Sequence, residues 1–78
     1  MSKRPRESMP ADVERALHDA GQAKAYAARP PYQRNDYLIW IGRAKRDETR
    51  GKRVAQMIAE LKAGDTYRGM DWTGAEKG

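Results

Sequence analysis

The sequence predicts an all-α fold, a small bundle of about four helices in which two short N-terminal helices precede a helical hairpin. Apolar residues recur at three- and four-residue spacings, and proline or glycine residues separate the segments that show this period. The length of 78 residues suits one small domain. Because the chain has no Cys and only one His, we expect packed apolar faces, rather than disulfides or a metal, to stabilise it.

Proline and glycine residues bound the two N-terminal helices. The first helix is predicted from Pro10 to Ala20, because a proline suits a helix start and Gly21 suits a left-handed stop. Its apolar stripe contains Val13, Ala16, Leu17 and Ala20. The second helix is predicted from Gln22 to Ala28, because Arg29 precedes Pro30 and is therefore driven out of helical geometry.

The stretch from Tyr32 to Leu61 holds most of the large apolar side chains and predicts the helical hairpin. Pro31 opens the third helix, a break follows near Arg46, and Asp47 is expected to cap the fourth helix. Gly64 is expected to end that helix. The side chains predicted to share the interior are Tyr37, Trp40, Ile41 and Ala44 from the third helix, and Val54, Met57, Ile58 and Leu61 from the fourth.

These signals divide the chain into a disordered basic arm (residues 1–8), a helical domain (residues 9–64) and an irregular C-terminal tail (residues 65–78). The tail contains large apolar side chains, namely Tyr67, Met70 and Trp72. Because such residues are uncommon in a plain disordered tail, the part near residues 67–72 is expected to pack back over the core.

The net charge of +5 and the pI near 9.8 suit a solvated surface, or attraction to nucleic acid, anionic lipid or an acidic protein. The solvated surface is favoured, because Lys and Arg are interleaved with Asp and Glu. No apolar run approaches the roughly 20 residues that a membrane span needs. The basic first residues are not followed by the apolar segment of a secretory signal, so we expect a cytoplasmic protein, although a chain without Cys suits cytosol and periplasm alike.

The sequence contains no recognisable catalytic constellation. Ser2 and Ser8 lie in the arm, away from any plausible base, and Asp47 and Glu48 resemble helix-start residues rather than an acid–base pair. His18 has neither a Cys nor a second His as a companion ligand. We therefore assign no catalytic residue, no cofactor and no metal, and expect that the protein is not an enzyme.

Basic side chains cluster where the third predicted helix turns into the fourth. They are Arg43, Lys45, Arg46, Arg50, Lys52 and Arg53. Ile39, on the preceding helix, falls among polar residues. A single exposed apolar residue is common and usually has no role, and the less favoured alternative is a contact point for a partner or a second subunit. The candidate interaction surface therefore consists of Ile39, Arg43, Arg46, Lys52 and Arg53.

Two functions suit this candidate surface. The favoured one is a non-enzymatic interaction module that binds another protein or forms a weak homodimer. The alternative is weak, sequence-independent and salt-dependent binding of nucleic acid. This alternative is less favoured, because Asp47 and Glu48 would repel phosphates at the position where a recognition helix reads bases.

Arg50 points with the apolar stripe of the fourth helix, because it lies four residues before Val54. A guanidinium at such a position needs a partner. We expect Arg50 to act as a structural tether that meets a carboxylate or an aromatic face. The candidate partners are Asp36, Tyr37 and Trp40, and tethering is favoured over phosphate binding.

The segment from Arg29 to Gly64 resembles the C-terminal helical region of the YdeI/OmpD-associated (bacteriocin-protection) proteins. The residues that carry the resemblance are the pair Pro30-Pro31, then Asp36-Tyr37, Trp40-Ile41, Ala44-Lys45, Thr49-Arg50, Arg53-Val54, and finally Leu61 and Gly64. The resemblance extends from about Met9 to Gly64. It implies a compact helical module linked to envelope stress or to protection against antibacterial agents, and it brings no catalytic residues.

Two departures from the family pattern are visible. Members of the family often carry a further N-terminal domain, which these 78 residues do not include. Ile39 also occupies a position that is usually polar.

Overall fold

The computed structural model describes residues 9–71, which form four helices followed by a short antiparallel hairpin. The helices are α1 (Ala11–Asp19), α2 (Ala23–Ala28), α3 (Pro31–Gly42) and α4 (Asp47–Ala63), and the strands are β1 (Thr66–Tyr67) and β2 (Met70–Asp71). The predicted helical bundle is therefore confirmed. The hairpin differs from the prediction, which treated this segment as irregular. The predicted arm (residues 1–8) and Trp72 lie outside the described residues.

The first two helices begin one residue later than the sequence predicts. Pro10 has extended backbone (ψ 148) and precedes α1 as its cap, and Gln22 has non-helical backbone (φ −112) before α2. Gly21, between these helices, has a φ of 70, the left-handed conformation expected of it. Arg29 is extended (ψ 152) and ends α2, as expected for a residue before proline.

The break between α3 and α4 is confirmed, but its details differ from the prediction. α3 ends at Gly42, and α4 begins at Asp47. Asp47 is therefore the first helical residue rather than the cap; Arg46 takes the cap position, with extended backbone and no side-chain hydrogen bond. Asp47 and Glu48 still place negative charge at the positive end of the helix dipole. Gly64 ends α4 with a φ of 82, as predicted.

The core is one apolar cluster to which all four helices contribute. Its buried members are Val13, Leu17, Tyr26, Tyr37, Leu38, Ile41, Met57 and Leu61. Trp40, Val54 and Ile58 are partly buried and pack against this cluster. Burial of one large aliphatic side chain stabilises a fold by about 1.5–3 kcal/mol, so this cluster is the main source of stability in a chain without disulfides. Of the eight side chains predicted to share the interior, four are buried and three pack at its margin. Ala44 is partly buried and does not belong to the cluster or to the residues that pack against it.

The C-terminal hairpin packs back on the helices through Tyr67. Its two-residue loop has positive φ at Arg68 (53) and Gly69 (82), which is the geometry of a tight hairpin turn. Helix α4 packs against β1, and Tyr67 packs against the core. Within the segment expected to pack back, Tyr67 contacts the core, whereas Met70 on β2 stays 57% exposed.

A matched pair of substitutions tests the burial of α3. Ile41 is 0% exposed, whereas Ile39 on the same helix is only half-buried. We expect Ile41→Val to lower the free energy of unfolding by about 0.5–1.5 kcal/mol, because it removes buried atoms and leaves a small void. Ile39→Val should lower it by less than half as much. Urea unfolding followed by circular dichroism measures both, and equal losses would contradict the described packing.

Candidate interaction surface

The connection between α3 and α4 presents most of the predicted basic cluster to solvent. The N–H of Arg43 donates to the carbonyl of Ile39 (2.9 Å) and closes α3, and the N–H of Arg50 donates to the carbonyl of Arg46 (2.9 Å) in the first turn of α4. The exposed basic side chains here are Arg43, Lys45, Arg46 and Lys52. Within residues 9–71 none of these makes an ion pair. The connection is therefore a positively charged surface with its charges available.

Ile39 lies at the edge of this charged surface. It is half-buried and lines a surface depression of about 440 Å³ together with Leu38, Gly42 and Arg43. The predicted contact residue is therefore partly covered, with an arginine beside it. We term the five residues Ile39, Arg43, Arg46, Lys52 and Arg53 the junction surface.

Arg53 differs from the other cations of the junction surface, because it is folded onto Trp40. Its Nη1 donates to the carbonyl oxygen of Trp40 at 2.7 Å, and its guanidinium carbon lies 5.4 Å from the centre of the Trp40 ring. Such a contact combines a charge-assisted hydrogen bond with a cation–π attraction. Arg53 therefore joins the junction surface to the edge of the core.

Arg50 is a tether, but to a partner that the sequence did not indicate. Its Nε and Nη2 donate to the two carboxylate oxygens of Asp12 at 2.9 and 3.1 Å, and its Nη1 lies 3.5 Å from the carbonyl of Ile41. The hydrogen bond from Arg50 holds the pKa of Asp12 below its ordinary value. The expectation that Arg50 meets Asp36, Tyr37 or Trp40 is wrong, because α1 packs against α4 and brings Asp12 to the guanidinium.

Asp36 also serves as a tether, and it holds the hairpin. Its Oδ2 accepts hydrogen bonds from the Tyr67 hydroxyl (2.7 Å) and from Nη1 of Arg68 (2.6 Å). The guanidinium of Arg68 stacks 4.3 Å from the centre of the Trp40 ring, and the Tyr67 ring meets the Tyr37 ring edge-on at 5.4 Å. Three aromatic rings and one ion pair therefore fasten the hairpin to α3.

Glu60 is a buried carboxylate, 6% exposed, that the sequence analysis did not single out. Its Oε1 accepts from the Tyr37 hydroxyl and from the N–H of Arg68 (2.7 Å), and its Oε2 accepts from the N–H of Gly69 (2.8 Å) and from Gln56 (2.9 Å). Burial acts to raise the pKa of Glu60, but the hydrogen bonds from these donors outweigh it and hold the pKa below 4.5. Glu60 therefore stays ionised at neutral pH.

A buried arginine extends this network to the connection between α2 and α3. Arg29 is 4% exposed, and it donates to the backbone carbonyl of Glu60 and to Oε1 of Gln33, both at 3.0 Å. Gln33 in turn donates to the Tyr32 hydroxyl at 3.0 Å. Burial, and next the hydrogen bond to Glu60, raise the pKa of the Tyr37 phenol. These polar groups hydrogen-bond to one another, so the network joins α3, α4 and the connection before α3.

Sequence position could have indicated two members of this network. Gln33 lies four residues before Tyr37, and Glu60 lies three residues after Met57, so both fall on core-facing stripes. A polar residue on such a stripe needs a partner inside the fold. The sequence spacing could show only Gln56, four residues before Glu60 on the same helix, because the other donors to Glu60 come from α3 and from the hairpin.

In the part of the chain that the structure describes, no three His, Asp or Glu side chains are grouped so that they could hold a metal ion. Among the helices of residues 9–71, none combines the length and the apolar character that a bilayer crossing requires.

The fold and its contacts define a small helical domain that is closed by a hydrogen-bonded hairpin and carries a basic surface at one helix junction. The chain belongs to the family described as Bacteriocin-protection, YdeI or OmpD-Associated, whose model matches residues 8–64. The match spans all four helices and confirms the resemblance seen in the sequence. Comparison with curated proteins and with solved structures found no match.

Glu60→Gln tests the buried carboxylate. Because the pKa of Glu60 in the folded state lies below 4.5, its stabilising contribution is present above the unfolded-state pKa and is lost as the pH falls through the folded-state pKa. At neutral pH we expect the free energy of unfolding of the variant to be about 1–3 kcal/mol lower than that of wild type. The reason is that an amide NH₂ would face the donor N–H of Gly69 or the donor amide of Gln56.

Urea unfolding at pH values from neutral to about 3 measures this effect as the difference, or gap, in free energy of unfolding between wild type and Glu60→Gln. The gap should narrow on acidification. Asp12→Asn is the control, because Asp12 is 58% exposed and its removal should lower the free energy of unfolding less at neutral pH. A gap that stays constant with pH would mean that Glu60 is not held as a carboxylate.

Arg50→Lys tests the tether between α4 and α1. Lysine keeps the charge but loses the two-pronged contact, and because the pair is partly exposed we expect a loss of at most about 1 kcal/mol in thermal unfolding. In an Asp12→Asn background the same substitution should have little effect. An unchanged melt in both backgrounds would show that the contact does not stabilise the fold.

Proposed function

We propose that this chain is a non-catalytic interaction module that docks a partner protein through the junction surface. The observation that supports it is the exposure of Arg43, Arg46 and Lys52, without an ion pair in residues 9–71, and the depression that half-buried Ile39 lines together with Arg43. Two other arginines are engaged in ion pairs, Arg50 with Asp12 and Arg68 with Asp36. Arg43, Arg46 and Lys52 have no carboxylate partner within residues 9–71, so carboxylates of a partner protein could pair with them.

The chemistry of the junction surface indicates the kind of partner. Protein interfaces combine an apolar centre with a polar rim, and complementary charge speeds association and fixes register. Ile39 supplies the apolar contact and the three exposed cations supply the rim. The partner should therefore present an apolar residue surrounded by carboxylates.

The family description gives the proposal a biological setting. It refers to bacteriocin protection and to association with OmpD. We infer that the partner takes part in envelope stress or in protection against antibacterial agents. A cytoplasmic location stays a prediction from the sequence.

Sequence-independent nucleic-acid binding is the alternative, since the same cations could contact phosphates. Two observations disfavour it. Asp47 and Glu48 are exposed in the first turn of α4, next to these cations. Trp40 is covered by the guanidiniums of Arg53 and Arg68, so its ring is not presented for stacking on bases.

A binding experiment with matched charge reversals tests the proposal. The full chain is used to capture proteins from a native bacterial extract. Each captured protein is then purified and titrated against wild type and variants by calorimetry. We expect Arg43→Glu with Arg46→Glu to weaken binding at least about tenfold, or about 1.4 kcal/mol. Arg15→Glu with Lys24→Glu carries the same charge change on exposed residues of α1 and α2 and should bind as wild type does.

The outcome separates the two functions. If both double variants weaken binding equally, the loss of affinity follows from the change in net charge. That result would contradict binding through the junction surface. A gel shift with DNA and RNA, repeated from about 50 to 200 mM salt, covers the alternative. Binding that falls steeply with salt and is lost in the Arg43→Glu, Arg46→Glu variant would favour nucleic acid over a protein partner.

A further inference from the structure

We propose that Asp36, Tyr37, Trp40 and Glu60 form a turn-binding site, which holds the chain's own Arg68-Gly69 turn and accepts the same turn from a second copy of the chain in a hairpin-exchanged dimer. The site lies on α3 and α4, and the turn lies in the hairpin that follows α4. This inference is independent of the junction surface.

Glu60 recognises the backbone of the turn. Its two carboxylate oxygens accept the consecutive N–H groups of Arg68 and Gly69 at 2.7 and 2.8 Å. Both donors belong to residues with positive φ, 53 and 82, so successive N–H groups converge on one anion. A tight turn with two left-handed residues presents such a pair, and Glu60 therefore recognises the backbone shape of this turn.

Asp36, Trp40 and Tyr37 recognise the side chains of the turn and of the strand before it. Asp36 pairs with the Arg68 guanidinium (2.6 Å), which also stacks on Trp40 at 4.3 Å. Tyr37 meets the ring of Tyr67 edge-on at 5.4 Å. The site thus offers two carboxylates and two aromatic faces, a combination that suits an arginine preceded by an aromatic residue.

A second copy of this chain is the occupant that the contacts indicate. The chain already shows which turn fits, and a second copy carries an identical turn. An exchanged dimer repeats every contact of the monomer in trans, so it needs no new interface. The only link that must change is the connection from α4 to β1, which consists of Gly64 and Asp65.

Gly64 keeps the hairpin on its own copy. Its φ of 82 turns the chain back onto α4, and a Cβ added there would meet nothing within 4 Å. An alanine at this position is therefore unfavourable because of its left-handed backbone conformation, and not because its Cβ would clash with a neighbour. It should extend α4 and direct the hairpin away from its own site and toward another copy.

Sedimentation at several concentrations measures the exchange. We expect Gly64→Ala to tighten dimerisation about 100-fold over wild type. In the monomer of this variant each linker must hold an alanine in the left-handed conformation, and the exchanged dimer releases both alanines from it. Gly64→Asn is the matched control, since asparagine tolerates the left-handed conformation, and it should behave as wild type does. Gly64→Ala combined with Arg68→Ala should stay monomeric, because the turn has lost its anchor.

Mixing two defective copies provides a second test. A site-defective copy (Asp36→Asn, Glu60→Gln) keeps its turn, and a turn-defective copy (Tyr67→Ala, Arg68→Ala) keeps its site. Each alone should sediment as a monomer, and a mixture should form a one-to-one heterodimer. Circular dichroism of each copy verifies that its helices are present.

The proposal is overturned if folded Gly64→Ala remains monomeric, or if it dimerises equally well after Arg68→Ala. It is also overturned if the two defective copies fail to pair although both are helical. Arg43→Glu with Arg46→Glu should leave the dimerisation of Gly64→Ala unchanged, so the exchange and the junction surface can fail separately.

Discussion

The carboxylate of Glu60 is the constraint on which the rest of the described structure depends. It joins α4 to α3 through the Tyr37 hydroxyl and joins α4 to the hairpin through the N–H groups of Arg68 and Gly69. A buried anion is unfavourable unless donors surround it, so each of these elements must be in place for the others to be stable. The backbone carbonyl of the same residue also receives Arg29, which fixes the connection before α3.

The helices could be predicted from the sequence because their signals are local. Prolines and glycines lie at the helix ends, and apolar residues repeat with the helical period, so both can be read without knowledge of distant contacts. The hairpin could not be predicted in this way. Arg68 has a left-handed conformation that arginine rarely adopts, and the bonds that hold it come from Glu60 and Asp36 on other elements.

The position of the basic surface could also be predicted, whereas the role of each arginine in it could not. Loops between helices expose their side chains, which places Arg43 and Arg46 in solvent. The roles of Arg50 and Arg53 depend on which helices pack together. In the folded chain Arg50 pairs with Asp12, and Arg53 donates to the carbonyl of Trp40. Arginines of the connection and of α4 therefore divide between exposure to solvent and contacts that join elements of the fold.

The distances along the chain between bonded residues have a kinetic consequence. Glu60 meets the turn over separations of 8 and 9 residues, whereas Asp36 meets Tyr67 and Arg68 over 31 and 32. Short loops close before long ones because they lose less entropy. The last helix and the hairpin should therefore assemble early as one local unit, and the docking of that unit against the aromatic face of α3 should be the late step of folding.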